Sequence, residues 1–519
     1  MIGMFKIQIN NYILIRFAVI SFFQFFFLLF RSQTTNSNFS FFNSIDNFSV
    51  CHPSIQPFLE PLHIKFNIDS TLKKSIFSKK LWEESLLDVV QDDVYIIADP
   101  LFNFSIGKNV TKSKFFFSNV RGFRIAGSIT SKVSFETRFY ENQFIYPDYL
   151  SDKAKFRASH EPSIDAIAFG IGRAKIFKEN GLDASLSNGY LSFSPFENIN
   201  FQLGHGRHFF GNGYRSLVLS DYAPDYPYFS AQYYLFNKKI LYKHVTAWMT
   251  NLNRIPSSST SEALFVPKSS NFNQFSFQES EKFSISIFEG SIYNNYNSLG
   301  RVSPLASFYV PILGASLIDR NSTNSTNLIY GLNWNLQFFE NWTVFNQYSM
   351  NSDKKIGVQI GLKHINLFGF KQSFLNIEFN TLPTGFYSTD SSSLFQKYSH
   401  LGHELAHPLG SGFKEFLFKG QFSCKNLFIR MNYNYVTFKV FNQNDVLLNQ
   451  VFTSKEELVS QTSYNKVLLF INTSIGLYFN PKTNMEISLG HIIRKFNNQM
   501  DNYLTLSWRT YLKNDYFDQ

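Results

Sequence analysis

Cysteine is nearly absent, with only Cys51 and Cys424 in 519 residues. Two thiols so far apart cannot staple a chain of this length, so a disulfide scaffold is excluded; the two are candidates to pair only in an oxidising compartment. Charge is scarce as well, at 17% of residues, and the net +10 is spread as Lys and Arg interleaved with acids. No basic stripe or recognition motif is present, which excludes nucleic acid as a partner. After residue 33 no apolar run approaches the roughly 20 residues of a membrane-spanning helix. Disorder is excluded by an excess: 18% of residues are aromatic and 62 are Phe, more apolar surface than a solvated chain tolerates. Most of these rings are flanked by Ser, Asn, Gln or Lys, as if every second side chain faced something apolar.

The first 32 residues read as a signal peptide. Lys6 and Arg16 accompany an apolar stretch from Phe17 to Phe30, interrupted only by Ser21 and Gln24 and closed by Arg31, Ser32 and Gln33. A basic start, an apolar centre and a polar exit describe export, with an uncleaved anchor as the alternative. Residues 33–98 are expected to form an N-terminal periplasmic segment with one helix. There Leu81, Leu86, Leu87 and Val90 fall near helical spacing, with Glu83, Glu84, Asp88 and Asp92 mostly opposite.

From residue 99 to 519 the period is two. Leu332, Trp334, Leu336 and Phe338 alternate with Asn333, Asn335 and Gln337; Ile356, Val358, Ile360 and Leu362 alternate with Gly357, Gln359, Gly361 and Lys363. Leu504, Leu506 and Trp508 stand opposite Thr505, Ser507 and Arg509. A soluble sandwich also alternates, and three features favour a transmembrane barrel over it. The polar face is Asn, Gln, Ser, Gly and Lys on strand after strand, which suits a hydrated lumen. Aromatic residues recur near strand ends, at Trp342, Tyr348, Tyr478, Tyr503 and Tyr511, where an interfacial girdle needs them. From about residue 314 long and short connections alternate, as the two rims of an outer-membrane barrel demand. The expected fold is all-β: a large antiparallel outer-membrane β-barrel of about eighteen strands, with loops partly filling its lumen, in contact with outer-membrane lipid and delivered by the barrel-insertion machinery.

Two constellations carry potential chemistry. His403, Glu404, Leu405, Ala406 and His407 spell H-E-x-x-H, a zinc-peptidase pattern that requires a helix bearing both His. Gly402 before it, Pro408 after it and Gly410 and Gly412 close behind leave little length for that helix, and no third ligand is assigned. No catalytic residue, metal ligand or cofactor is therefore expected. The second constellation runs from Gly204 to Tyr222 and holds Arg207, His208, Tyr214, Arg215, Asp221 and Tyr222 among glycines that match neither a phosphate loop nor a dinucleotide loop. Such groups offer planar hydrogen bonds and stacking faces to a sugar or an acidic polysaccharide. The alternative is that the glycines bend a barrel strand and the arginines pair with luminal acids.

Several segments agree, in order, with one family. They are Asp99-Pro100-Leu101-Phe102-Asn103-Phe104, Arg121-Gly122 followed by Glu141-Asn142-Gln143, Gly206-Arg207 with Phe210 to Leu217 and Leu219 to Tyr222, and Ala406-His407-Pro408-Leu409-Gly410 leading to Glu415. In these the chain resembles the capsule-assembly Wzi family of outer-membrane proteins, in the RemB-like form of gliding Bacteroidetes. The resemblance implies a cell-surface barrel that binds or organises surface polysaccharide without catalysis, or an accessory of gliding motility and adhesion whose partners are proteins. It also places His407 in a loop motif and not on a zinc helix, and it nominates Arg207, Arg215, Asp221 and His407 as polysaccharide-binding residues. A diffusion porin is a further possibility for such a barrel.

Overall fold

The computed structural model describes residues 56–57, 75–91, 93–130, 132–159, 166–178, 180–254, 265–280, 282–297, 300–318, 326–367, 373–389, 396–440, 464–480, 483–510 and 516–518. The signal segment 1–32, Cys51 and Tyr511 lie outside these residues; Cys424 is exposed with a free thiol.

Eighteen antiparallel strands close into one barrel. They are β1 (Val94–Asn109), β2 (Lys114–Ile129), β3 (Val133–Ile145), β4 (Gly181–Phe196), β5 (Ile199–Gly206), β6 (Tyr226–Leu235), β7 (Ile240–Arg254), β8 (Phe265–Ser280), β9 (Phe283–Asn294), β10 (Thr326–Phe339), β11 (Trp342–Asn351), β12 (Ile356–Ile365), β13 (Phe374–Leu382), β14 (Phe413–Cys424), β15 (Leu427–Val440), β16 (Tyr464–Asn480), β17 (Met485–Phe496) and β18 (Gln499–Arg509). Each pairs with the next, and β18 returns to β1 with Tyr503 opposite Asn109 and Arg509 opposite Asn103. Closure leaves no unpaired backbone edge in lipid.

The alternation is realised strand by strand. On β12, Gly357 and Gln359 point into the barrel while Ile360 is half exposed on the outside. On β13, Asn376, Glu378 and Asn380 are fully buried inside, and Phe379 faces out. The inner face carries local packing devices of its own. A Cβ on Gly361 would meet the ring of Phe345 at 2.0 Å, so only glycine lets that ring lie flat against β12.

The connections sort by length. Those after even-numbered strands are short: 197–198, 236–239, 281–282, 340–341, 425–426 and 481–484. Those after odd-numbered strands include the long ones: 146–180, 207–225, 295–325, 383–412 and 441–463. The short turns define the periplasmic rim, where the chain also enters β1 and leaves β18; the long connections define the outer rim.

Two expectations are corrected. The helix near the N-terminus is α1 (Ile76–Trp82), shifted toward the start of the chain, and Leu87–Gln91 form a strand paired with Val94–Ala98. A helix of so few turns is marginal alone, whereas the β-branched pair Val89 and Val90 gains a full ladder against β1. Ser75 caps α1 by accepting from the Ser78 amide at 3.2 Å. Barrel pairing accordingly starts before residue 99, at Val94, and Gln56–Pro57 of the N-terminal segment pair with His208–Phe209. The second correction concerns the girdle. Trp342 and Tyr348 face outward, but Tyr478 and Tyr503 are buried on the luminal face, because Leu477 and Leu504 beside them take the lipid side. A second helix, α2 (Asp148–Ser159), lies in the connection 146–180; its polar sequence carries no helical apolar period.

Candidate functional site

Two of the long outer connections fold down into the barrel and make a plug. One is 207–225, between β5 and β6; the other is 383–412, described at 383–389 and 396–412, between β13 and β14. Their apolar residues form a core of the kind found in soluble proteins, inside the barrel. Phe210, Leu217, Val218 and Leu219 pack with Phe386, Tyr398, Leu405 and Ala406, and the wall adds Phe272, Phe288 and Val436. Phe210 stacks on Phe288 with centroids 4.9 Å apart. The segments are joined to each other where Leu405 O accepts from the Ser220 amide at 2.8 Å and Ala406 O accepts from the Ser220 hydroxyl.

The polar residues of 207–225 find their partners in the plug, in the wall and in the connection 146–180. Arg207 donates through Nε to Asp225 at 2.7 Å, through Nη1 to Asp221 O at 2.9 Å and through Nη2 to Gly170 O at 2.9 Å. Burial pushes the Asp225 carboxyl up, but the Arg207 guanidinium and hydrogen bonds from Arg207 and Asn188 outweigh it and leave Asp225 below the usual range. His208 Nδ1 lies 3.2 Å from the Tyr226 hydroxyl and its ring sits edge-on to Tyr228. Burial, seconded by Lys243, holds His208 well below the ordinary imidazole value.

Arg215 is the bolt. It donates to Glu415 through Nε at 3.3 Å and Nη2 at 3.1 Å, and Nη2 also meets Asp518 Oδ1 at 3.0 Å. All three groups are almost wholly buried, and Arg215 is sandwiched against the rings of Tyr214 and Tyr516. The backbone on either side is gripped by the wall. Glu378 of β13 accepts from the Tyr214 and Arg215 amides, Gln359 of β12 donates to Arg215 O at 3.0 Å, and Gln347 of β11 accepts from the Leu217 amide at 2.7 Å. The C-terminal tail arrives from the periplasmic rim: the Tyr516 hydroxyl donates to Asp221, Tyr222 packs edge-on against Tyr516, and Asn434 donates to Asp518 O at 3.0 Å.

His403 and Glu404 do not lie on a helix; they form a two-residue strand paired with Ser399–His400. His407 turns the other way and binds Glu415 Oε2 at 2.8 Å through Nε2. The Leu409 amide donates to His407 Nδ1 at 3.3 Å, so the ring proton resides on Nε2 and points at Glu415. Burial foremost holds His407 below its usual value, against the pull of Glu415. Among the described residues no three His, Cys, Asp or Glu side chains form a metal-holding group.

The structure thus gathers Arg207, His208, Tyr214, Arg215, Asp221, Tyr222 and His407 into one place, as their spacing implied, but with each side chain buried at 4% exposure or less. Arg207 and Arg215 are paired with acids, as one of the two readings of the 204–222 run has it. Sequence reasoning missed Glu378, Gln347, Gln359, Asp225 and Asp518 as their partners. For Glu378 a signal existed, since an acid on the inner face of a membrane strand, between Ile377 and Phe379, requires donors.

The closed eighteen-strand ladder and its greasy exterior define an outer-membrane β-barrel. No family model and no curated protein matches the chain. Among solved structures it is similar to Wzi of Escherichia coli, described as an outer-membrane protein involved in group 1 capsule assembly and a carbohydrate-binding β-barrel, at 12% identity and TM-score 0.49, over 78% of this chain and 83% of that one. It is also similar to two Pseudomonas aeruginosa proteins: OpdQ, at 9% identity and TM-score 0.43 over 82% of this chain and 99% of that one, and the outer-membrane protein OpdK, at 6% and 0.44 over 82% and 100%.

Proposed function

We propose that this barrel is a non-enzymatic surface protein that binds or organises surface polysaccharide at its outer rim. The observation that carries the reading is the plug. Two loops, held to the wall by the buried Arg215–Glu415 ion pair and the His407–Glu415 hydrogen bond, occupy the lumen where a diffusion channel needs free width, and long connections such as these carry recognition in barrels of this kind. On this reading Arg207, Arg215, Asp221 and His407 act as positioning residues that fix the shape of the outer face from below. Purified surface glycan should bind the detergent-folded protein saturably and more weakly as salt rises, since charge pairing is screened. The same protein in a planar bilayer should give no large steady conductance. Conductance without glycan binding would make it a diffusion porin instead.

A further inference from the structure

The plug leaves part of the lumen unfilled. In the periplasmic half, against β14–β18 and β1, a cavity of about 310 Å³ remains, at the lower end of the roughly 300–1,000 Å³ of small-molecule sites. Lys419 of β14, Arg430 of β15 and Arg509 of β18 bring cations to it; Tyr214 of the plug brings a ring; Asn103 of β1 and Asn432 of β15 bring amides. Two of the cations are committed. Arg430 grips Glu486 with Nη1 at 2.9 Å and Nη2 at 2.7 Å, and Arg509 Nε meets the same carboxylate at 2.7 Å. Lys419 differs: its ammonium sits 3.2 Å from the centroid of the Tyr214 ring, and among the described residues it has no hydrogen bond or salt bridge. Asn103 Oδ1 and Asn432 Oδ1 are buried acceptors without a donor, which interiors rarely tolerate. The chain itself shows how a carboxylate is met at this cavity, since Asp518 takes Arg215 on Oδ1 at 3.0 Å and Asn432 Nδ2 on Oδ2 at 3.1 Å.

We propose that this chamber binds a polyhydroxylated carboxylate of one sugar-ring size, such as a hexuronate, entering from the periplasmic side. Its carboxylate lies on Lys419, which the Tyr214 ring holds in place, and its hydroxyls donate to Asn103 and Asn432. A neutral hexose lacks the charge for Lys419, and acetate lacks the hydroxyls. The proposal is independent of glycan recognition at the outer rim, so either can fail alone.

Calorimetric titration of the detergent-folded protein with glucuronate tests it, with glucose and acetate as controls. Glucuronate should bind saturably and be weakened by salt at several hundred millimolar, while neither control saturates. Lys419→Gln should weaken glucuronate by about tenfold or more, the loss of one charge-assisted hydrogen bond, and Lys419→Arg should retain most of it. Asn103→Leu, which removes an acceptor on the opposite wall, should also weaken it, and carries the test if Lys419→Gln does not fold. No saturable glucuronate binding, equal binding of glucose, or unchanged binding in the folded variants would each overturn the proposal.

Discussion

Arg215 shows how a buried charge can serve architecture. It is wholly enclosed, and its partners come from β14 and from the C-terminal tail. Arg215→Met strands Glu415 and Asp518 as buried carboxylates, which costs about 3–5 kcal/mol. Protease should then cut within 207–225 of the variant under conditions that spare the wild type, while the barrel itself survives. The buried histidines define a second dependence. His208 and His407 are held below 6.5, and His400 is brought down to about 3, by burial first and then by Lys268. A base whose folded value is depressed binds fewer protons folded than unfolded below pH 6.5, so stability falls as pH falls through that value, by up to about 1.4 kcal/mol per histidine for each further pH unit. Acidification from pH 7 to 5 should loosen the plug to proteolysis, and replacing His400 and His407 by Gln should flatten the profile. At this scale the sequence revealed which polar residues cluster but not that they bind one another, because Glu378, Glu415 and Asp518 approach Arg215 only through barrel closure and long-range loop return.

At the scale of the strand, what matters is the side of the wall on which a residue falls. Ile360 faces lipid in β12, and a charge at that depth costs about 2–4 kcal/mol. Ile360→Lys should lower the temperature at which the folded form is lost on unboiled gels, whereas Ser474→Lys, placed on the wet chamber from β16, should leave it nearly unchanged. The strands were the most legible part of the chain, because a period of two survives any uncertainty in their ends. The failures share one cause. Residue type alone places Tyr478 and Tyr503 in the girdle, and parity overrides type; Leu86, Leu87 and Val90 match a helical stripe and a strand equally well over so short a stretch, and pairing with Val94–Ala98 selects the strand for Leu87–Gln91.

For the molecule as a whole, the barrel should migrate faster unboiled than boiled after detergent extraction, as a sheet without edges resists unfolding until heated. Truncation before Tyr516 removes the Tyr516 and Asp518 contacts to Asp221 and Arg215, so the shortened protein should keep that heat shift yet pass current in a planar bilayer where the full chain does not. Barrel class and strand number were legible from the alternation and the connection lengths; the plug was legible only as loops reaching inward, since its core is assembled from segments nearly two hundred residues apart. Tyr516 and Asp518 follow β18, and β18 completes the wall by joining β1, so the tail carries its contact to Arg215 from beyond the closing strand of the ring. Arg215 thereby senses the closing seam: a barrel without its last strand and tail keeps Glu415 but loses Asp518, and is distinguishable from a finished one by whatever tests that loop for slack.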